Sequence, residues 1–390
     1  MNRSADVIVV GAGVQGAALA FHLAGRGVDV LVLERDTIGS GASGRSSGFV
    51  RMHYDLESEG RLAWASFPYF EHWAEMVGVG DPSFVACGFL QLVPRTLSDS
   101  LRANVEMLQG VGIDTRTIDA DEVAELVPGI VTDDIEVAAY EPRSGYADPA
   151  GTTTGLMAAA RARGARVEQG CLVSAITTDG GQVTGVDTAQ GHYAAPVVVN
   201  AAGPWAPELA RTVGLDIPIT VWRHDTFHLG LPEGRDHHFP IVLDHARQVY
   251  FRPEGTGQVL VGLETANELG GSPDRPFSHV GAEETEELIA RVCQRVPWME
   301  EGTLRSAYGG QDGMTPDQRA IIDGAGPDGH YLLCGFSGSG FKTAPAAALG
   351  LCELILDGIS SSVDTSPYAL ARFDSGGLLV GEHAYPDLWQ

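Results

Sequence analysis

Residues 6–36 read DVIVVGAGVQGAALAFHLAGRGVDVLVLERD, and this stretch decides the fold. The apolar run Val7 to Val10 predicts a buried strand. It breaks into Gly11-Ala12-Gly13-Val14-Gln15-Gly16, and the alanine-rich pattern from Ala17 to Leu23 then predicts a helix. A second apolar run, Val28 to Leu33, ends on Glu34. Strand, glycine turn, helix, strand and acidic residue stand in the order of a dinucleotide-binding βαβ unit. The three glycines act differently. Gly11 permits the tight turn, Gly13 lets backbone approach a pyrophosphate, and Gly16 lets helix pack on sheet. The helix's free N–H groups and positive dipole end face the phosphates. Glu34 can accept hydrogen bonds from both ribose hydroxyls, and its charge repels a 2′-phosphate. The fingerprint leaves NAD and FAD both open.

Composition narrows the class. A chain of 390 residues needs two or three cores. A hydrophobic content of 44% with 50 glycines suits a water-soluble α/β protein. The net charge of −26 opposes association with nucleic acid and with anionic membrane surfaces, so neither is expected as a partner. No segment reaches the ~18 uninterrupted apolar residues of a transmembrane helix. Met1 to Asp6 run straight into the first strand, which leaves no room for a cleavable signal peptide. Cys87, Cys171, Cys293, Cys334 and Cys352 are scattered and odd in number. They point to free thiols and a cytoplasmic location rather than to a disulfide framework or a zinc site.

Beyond Glu34, the run from Gly39 to Gly48 offers N–H groups and hydroxyls to the same pyrophosphate. Phe49 to Tyr54 then place one arginine, Arg51, in an otherwise apolar segment. A helix is expected from Ser58 to about Val77, with Trp64, Phe67, Phe70 and Trp73 in the core. Residues 85–142 read as a different layer, with a strand at Phe89 to Val93 and a helix from Thr96 to Gly110. Asp119, Asp121, Glu122 and Glu125 match no metal loop and fit a solvated helix start. A further helix is expected from Ala150 to Arg163. The run Ala195 to Trp205 is a buried strand opening into a small-residue turn, where the nucleotide layer resumes. Between 217 and 265, alternating segments predict antiparallel strands. His224, His228, His237, His238 and His245 lie among them without metal-ligand spacing, and exposed strand and turn positions are expected. Tyr331 to Lys342 read YLLCGFSGSGFK, a strand and glycine-rich turn opening a helix from Thr343. Two anion-facing helix ends fit a long two-headed ligand better than NAD alone. One end holds a pyrophosphate and the other faces a far ring; for an isoalloxazine it stabilises charge at the N1–C2 carbonyl edge.

GAGVQG with Glu34, GSGASGRSSGFVRMHY, GYADP, VVNAAGPWA, GMTPDQRAIID and CGFSGSGFKTAP together resemble the flavoproteins of the D-amino acid oxidase superfamily. Within it they are similar to monomeric sarcosine oxidase and the β subunit of heterotetrameric sarcosine oxidase, over nearly the whole chain. The resemblance implies an α/β fold with a discontinuous Rossmann-type FAD-binding domain over about 1–84, 143–217 and 305–390. A substrate domain, a mostly antiparallel β-sheet with flanking helices, covers about 85–142 and 218–304. FAD is implied at Gly11, Gly13, Val14, Gln15, Gly16, Glu34 and Arg35, and at Ser43, Gly44, Arg45, Ser46 and Ser47. Val173 meets the adenine; Ala201, Ala202, Gly203, Trp205 and Gly310 follow, and Gly338, Ser339, Gly340, Phe341 and Lys342 border the ring. Arg51 and Lys342 match the pair that grips the substrate carboxylate, a planar fork with a point charge. The implied activity is oxidation of the C–N bond of a carboxylate-bearing amine or amino acid by hydride transfer to flavin N5.

The departures are informative. Tyr308-Gly309-Gly310 lacks the carboxylate-binding arginine of the glycine and D-amino acid oxidases. It also lacks the cysteine that attaches FAD in the monomeric sarcosine oxidases, so non-covalent FAD is expected. Leu260 takes the place of the family's dioxygen-activating lysine, and Glu264 that of its active-site histidine. Losing a cation above the flavin slows O₂ reduction, so the acceptor is O₂ or another electron carrier. Glu264 suits a cationic substrate group. Two alternatives stay open: oxidation of a 2-hydroxy acid, and a flavin-binding subunit of a larger amine-oxidising complex. The sequence leaves the oligomeric state open.

Overall fold

The computed structural model describes residues 3–232, 234, 238–264, 268–275, 280–374 and 376–385. Val7–Val10 sits inside a six-stranded sheet, between Val30–Leu33 and Val197–Asn200. Arg166–Glu168 closes one edge, and His330–Cys334 followed by Ile321–Gly324 closes the other. All pairings are parallel except the last. The two-residue period of a strand sorts the side chains. Val7, Val9, Val30 and Val32 enter one core with helices Val14–Gly25, Pro149–Ala162 and Gly340–Asp357. Ile8, Val10, Leu31 and Leu33 enter another, beneath the meander Val173–Asp179, Gln182–Thr188 and Gly191–Ala194. Burial on both faces is why these strands read as unbroken apolar runs.

The second layer is a nine-stranded sheet, mostly antiparallel, with one parallel pairing between Ile241–Asp244 and Phe89–Leu92. One face carries Leu90, Phe227, Val242, Phe251 and Val261 and packs against helix Ala282–Arg295. The opposite face carries Phe89, Ile241, Leu243, Tyr250 and Leu260 and meets Phe49, two residues before Arg51. That face looks onto the first layer.

Several expectations shift. The helix expected over 58–77 divides into Glu57–Glu71 and Trp73–Met76, because His72 leaves helical dihedrals (φ −124°, ψ 42°). Phe67, Phe70 and Trp73 are buried as expected, with Trp64 packed at the rim of that core. The acidic segment is a helix start: the Asp119 carboxylate accepts from the N–H groups of Asp121 and Glu122, and Glu122 returns a bond, a capping box. Thr303–Met314 pairs along its length with Thr220–Gly230, so the chain re-enters the first layer after Met314 rather than near 305. Its glycines give no apolar alternation, which hid the strand from periodicity. Among the described residues, no helix is long and apolar enough to cross a membrane.

Candidate active site

The carboxyl ends of Val7–Val10, Val197–Asn200 and His330–Cys334 open on a cavity of about 470 Å³. Both glycine-rich turns border it. Gly11 has φ +105°, and a Cβ there would stand 2.5 Å from the Ala201 carbonyl oxygen. A Cβ at Gly16 would stand 2.0 Å from the Gly11 carbonyl oxygen. Neither position tolerates a side chain. The Glu34 carboxylate accepts from the N–H groups of Ala12 and Asp36, both at 2.8 Å, which ties the turn to the second strand. Each carboxylate oxygen keeps a lone pair for a ribose hydroxyl. Ser43 Oγ accepts from the Val14 N–H at 2.9 Å and docks the 39–48 loop on the helix N-terminus. Gln15 Nε2 donates to the Gly340 carbonyl at 2.8 Å and couples the two turns, while its buried Oε1 has no hydrogen-bond partner among the described residues. Ser337, at φ +52°, lets the chain enter its last long helix at Gly340, one turn before the expected Thr343.

The cavity wall includes Gly11, Gly13, Val14, Gln15, Glu34, Arg35, Ser43, Ser46, Ser47, Val173, Ala201, Ala202, Gly203, Trp205, Gly338, Gly340 and Phe341. Gly16, Gly44, Arg45, Gly310, Ser339 and Lys342 stand outside that lining. Arg45 folds its guanidinium back onto the carbonyls of Ser40 and Gly41. Gly310 pairs across the sheet with His224, which does line the cavity. A two-headed dinucleotide fits this cradle: an acidic residue at one end, two helix N-termini, and an unpartnered amide oxygen between them.

The segment around Asp274 was not foreseen. Its carboxylate accepts from Arg35 Nη1 at 2.8 Å and from Trp205 Nε1 at 2.9 Å, and Arg35 lies 4.6 Å over the Trp205 ring. Second-layer residues Pro273 to Arg275 thereby close one end of the cavity. The bond from Arg35 holds the Asp274 carboxyl below the usual range. Asp274→Ala is expected to speed FAD release roughly threefold, the scale of an exposed pair. Recovery of free-flavin fluorescence after dilution measures it, and an unchanged rate removes Asp274 from cofactor retention.

Arg51 is buried, with its guanidinium 4.6 Å from the Tyr54 ring and 5.5 Å from Phe89. Its one hydrogen bond among the described residues goes to the His53 carbonyl, and it makes no ion pair there. Lys342, also buried, leaves the first turn of Gly340–Asp357 and places Nζ 5.7 Å from the same Tyr54 ring. It donates to the Gly338 carbonyl at 3.5 Å, and it too makes no ion pair among the described residues. Burial, then the neighbouring Arg51, lowers the Lys342 pKa well below its ordinary value, against the pull of Glu59 and Asp312. Glu59 is committed elsewhere, 2.9 Å from Arg319, which also binds Asp55 at 2.7 Å.

Glu264 belongs to the same buried neighbourhood. Burial raises its carboxyl pKa, while His245 and Arg51 oppose the shift. His245 Nδ1 lies 2.6 Å from Oε2; Oε1 has no hydrogen-bond partner among the described residues. His245 is thus buried, not exposed as expected, and His224 and His228 are half-buried on the strand face turned to the first layer. His238 is exposed, and His237 lies outside the described residues. Inward positions of strands follow the two-residue period, a signal available for His224 and His228 but not for His245, which follows its strand. Tyr54, His53 and His245 gave no motif of their own.

A parallel nucleotide sheet with two glycine turns on one elongated cavity, roofed by a second sheet, defines a flavoprotein oxidoreductase. The profile of the DAO family, described as FAD dependent oxidoreductase, matches residues 6–354, and the chain belongs to that family. FAD is the family's cofactor. The chain is 29% identical to human mitochondrial sarcosine dehydrogenase, over 96% of this chain and 42% of that protein. It therefore spans about two-fifths of that relative's length. It is also 29% identical to sarcosine oxidase subunit beta of Arthrobacter sp, over 98% of this chain and 94% of that one. The fold of L-proline dehydrogenase from P. horikoshii superposes with a TM-score of 0.89 at 26% identity, covering 96% of this chain and 99% of that one.

Proposed function

We propose that this chain oxidises the C–N bond of a small amine that carries a carboxylate: an N-methyl, secondary or primary amino acid. The observation behind this reading is the Arg51–Lys342 pair, two buried cations around one tyrosine ring, neither with an ion pair among the described residues. Buried cations are costly unless paired, and a substrate carboxylate supplies the missing charge. FAD, held by the two glycine turns, would supply the hydride acceptor for the carbon beside the amine. Arg51 and Lys342 hold the carboxylate and fix the direction of the neighbouring C–H bond. Two cations lower the pKa of the nearby amine, and the free Oε1 of Glu264 receives the proton it sheds. The imine product hydrolyses in water.

Anaerobic mixing of the holoenzyme with amino acids and with 2-hydroxy acids, followed by the visible flavin band, tests this. Bleaching by amino acids alone is expected; bleaching by hydroxy acids alone would make the Glu264–His245 pair the base for a hydroxyl proton instead. Leu260 lies fully inside the apolar cluster with Phe89 and Tyr250, so slow reoxidation is expected when air is admitted afterwards. Fast return of the band assigns O₂ as the acceptor. The near-full-length likeness to a sarcosine oxidase β subunit supports a second reading, a flavin-binding subunit. Turnover by the isolated chain, monomeric on gel filtration, dismisses it.

A further inference from the structure

The last described segment, Gly376 to Tyr385, is pinned to three different parts of the chain. The Leu379 N–H donates to Asp317 at 3.1 Å, and the Glu57 N–H donates to Glu382 at 3.0 Å. Asn104 Nδ2 donates to the His383 carbonyl at 3.0 Å, and the Tyr385 N–H donates to Asp55 at 3.2 Å. A Cβ at Gly381 would stand 2.4 Å from the Asp55 carboxylate, so backbone and side chain are pressed together there. Val380 is 69% exposed, yet Tyr385, five residues on, is 2% exposed.

The Tyr385 ring meets two histidines of the site. It stacks on His53 at 6.0 Å with planes 16° apart, and its hydroxyl is 2.9 Å from His53 Nε2. It also lies 6.0 Å from the His245 ring, with planes 52° apart. Each histidine supports a functional side chain: the His53 carbonyl takes the one hydrogen bond of Arg51, and His245 Nδ1 holds Glu264. Burial, with Arg51 and His245 nearby, lowers the His53 pKa to about 3, so its ring is neutral at physiological pH. A neutral imidazole hydrogen-bonds the tyrosine hydroxyl as donor or acceptor without a charge to solvate.

We infer that Tyr385 is a positioning residue: the pinned segment Gly376 to Tyr385 holds its ring against His53 and His245, and through them it sets Arg51 against Glu264. This rests on the carboxylate reading of Arg51. The geometry also explains why a segment with exposed Leu378 and Val380 carries one fully buried aromatic ring. Among the described residues its hydroxyl is the only part that reaches a site residue by a hydrogen bond, so the ring's packing and the positioning can be separated.

The test compares wild-type and Tyr385→Phe holoenzymes. Propionate is titrated against the visible flavin spectrum, alongside FAD content, melting temperature and the histidine ring signals in ¹⁵N NMR. Losing one hydrogen bond is expected to weaken propionate roughly fivefold, with FAD content and melting temperature unchanged and the His53 ring signals shifted. A merely structural tyrosine would move the melting temperature and leave the other two alone. Unchanged propionate affinity, or unshifted histidine signals, overturns the inference. A wild-type spectrum blind to propionate would remove the carboxylate reading instead, and the histidine signals alone then decide Tyr385. Tyr385→Trp, which keeps the stacking but misplaces the donor, should fail to restore propionate affinity.

Discussion

Arg51→Ala should give a folded, FAD-loaded protein whose affinity for carboxylate substrates is down roughly 100-fold, the scale of removing one partner of a buried charge-assisted bond. The guanidinium stands free of ion pairs among the described residues and rests on two aromatic faces, so its removal breaks no structural salt bridge. Melting temperature should therefore hold or rise. Arg51→Lys should recover little, because an ammonium cannot bind a carboxylate in a fork. The variant also reports on Lys342. Arg51 is one cause of the lowered Lys342 pKa, so Arg51→Ala should move that pKa upward.

The sign of the pH effect follows. Carboxylate binding favours protonated Lys342, so affinity is greatest below the lowered pKa and falls as pH rises through it. In Arg51→Ala that fall should shift to higher pH. Lys342→Met should abolish it. Substrate amine deprotonation works in the opposite direction, so amine substrates should show a rising limb that propionate lacks. A propionate affinity flat with pH in the wild type would remove Lys342 from the clamp.

What was legible divides by the range over which residues act. The fingerprint is local: Gly11, Gly16 and Glu34 constrain one another within thirty residues, and strand burial on both faces wrote itself as Val7 to Val10 and Val30 to Leu33. Arg51 and Lys342 sit in short motifs that the resemblance could carry over. Asp274 and Tyr385 act through contacts 69 and 332 residues away in sequence. Nothing near them in the chain marks them. Thr303–Met314 was obscured for another reason: its glycines and polar residues are held by pairing with Thr220–Gly230, not by a side-chain pattern.

The largest loss of stability is expected from Asp244→Ala, which strands a cation in the second layer. Arg295 is 0% exposed, with Nε 2.5 Å from Asp244 Oδ2 and Nη1 2.7 Å from Asp134. Asp244 is equally buried and also accepts from the N–H groups of Ala246 and Arg247, both at 3.1 Å. Removing it leaves the guanidinium with the partly exposed Asp134 and orphans two turn N–H groups. A buried pair broken from one side costs about 3–5 kcal/mol, so the melting temperature should fall on the order of 10 °C. Replacing both partners by apolar residues, Asp244→Leu with Arg295→Met, avoids the stranded charge and should recover most of that loss. Asp244 ends the strand that leads into His245, and its carboxylate shapes the turn after it. The double variant should therefore regain stability while substrate turnover stays low, since His245 no longer holds Glu264 in place. Full recovery of turnover together with stability would show that the turn does not orient the His245–Glu264 pair, and would confine Asp244 to neutralising Arg295.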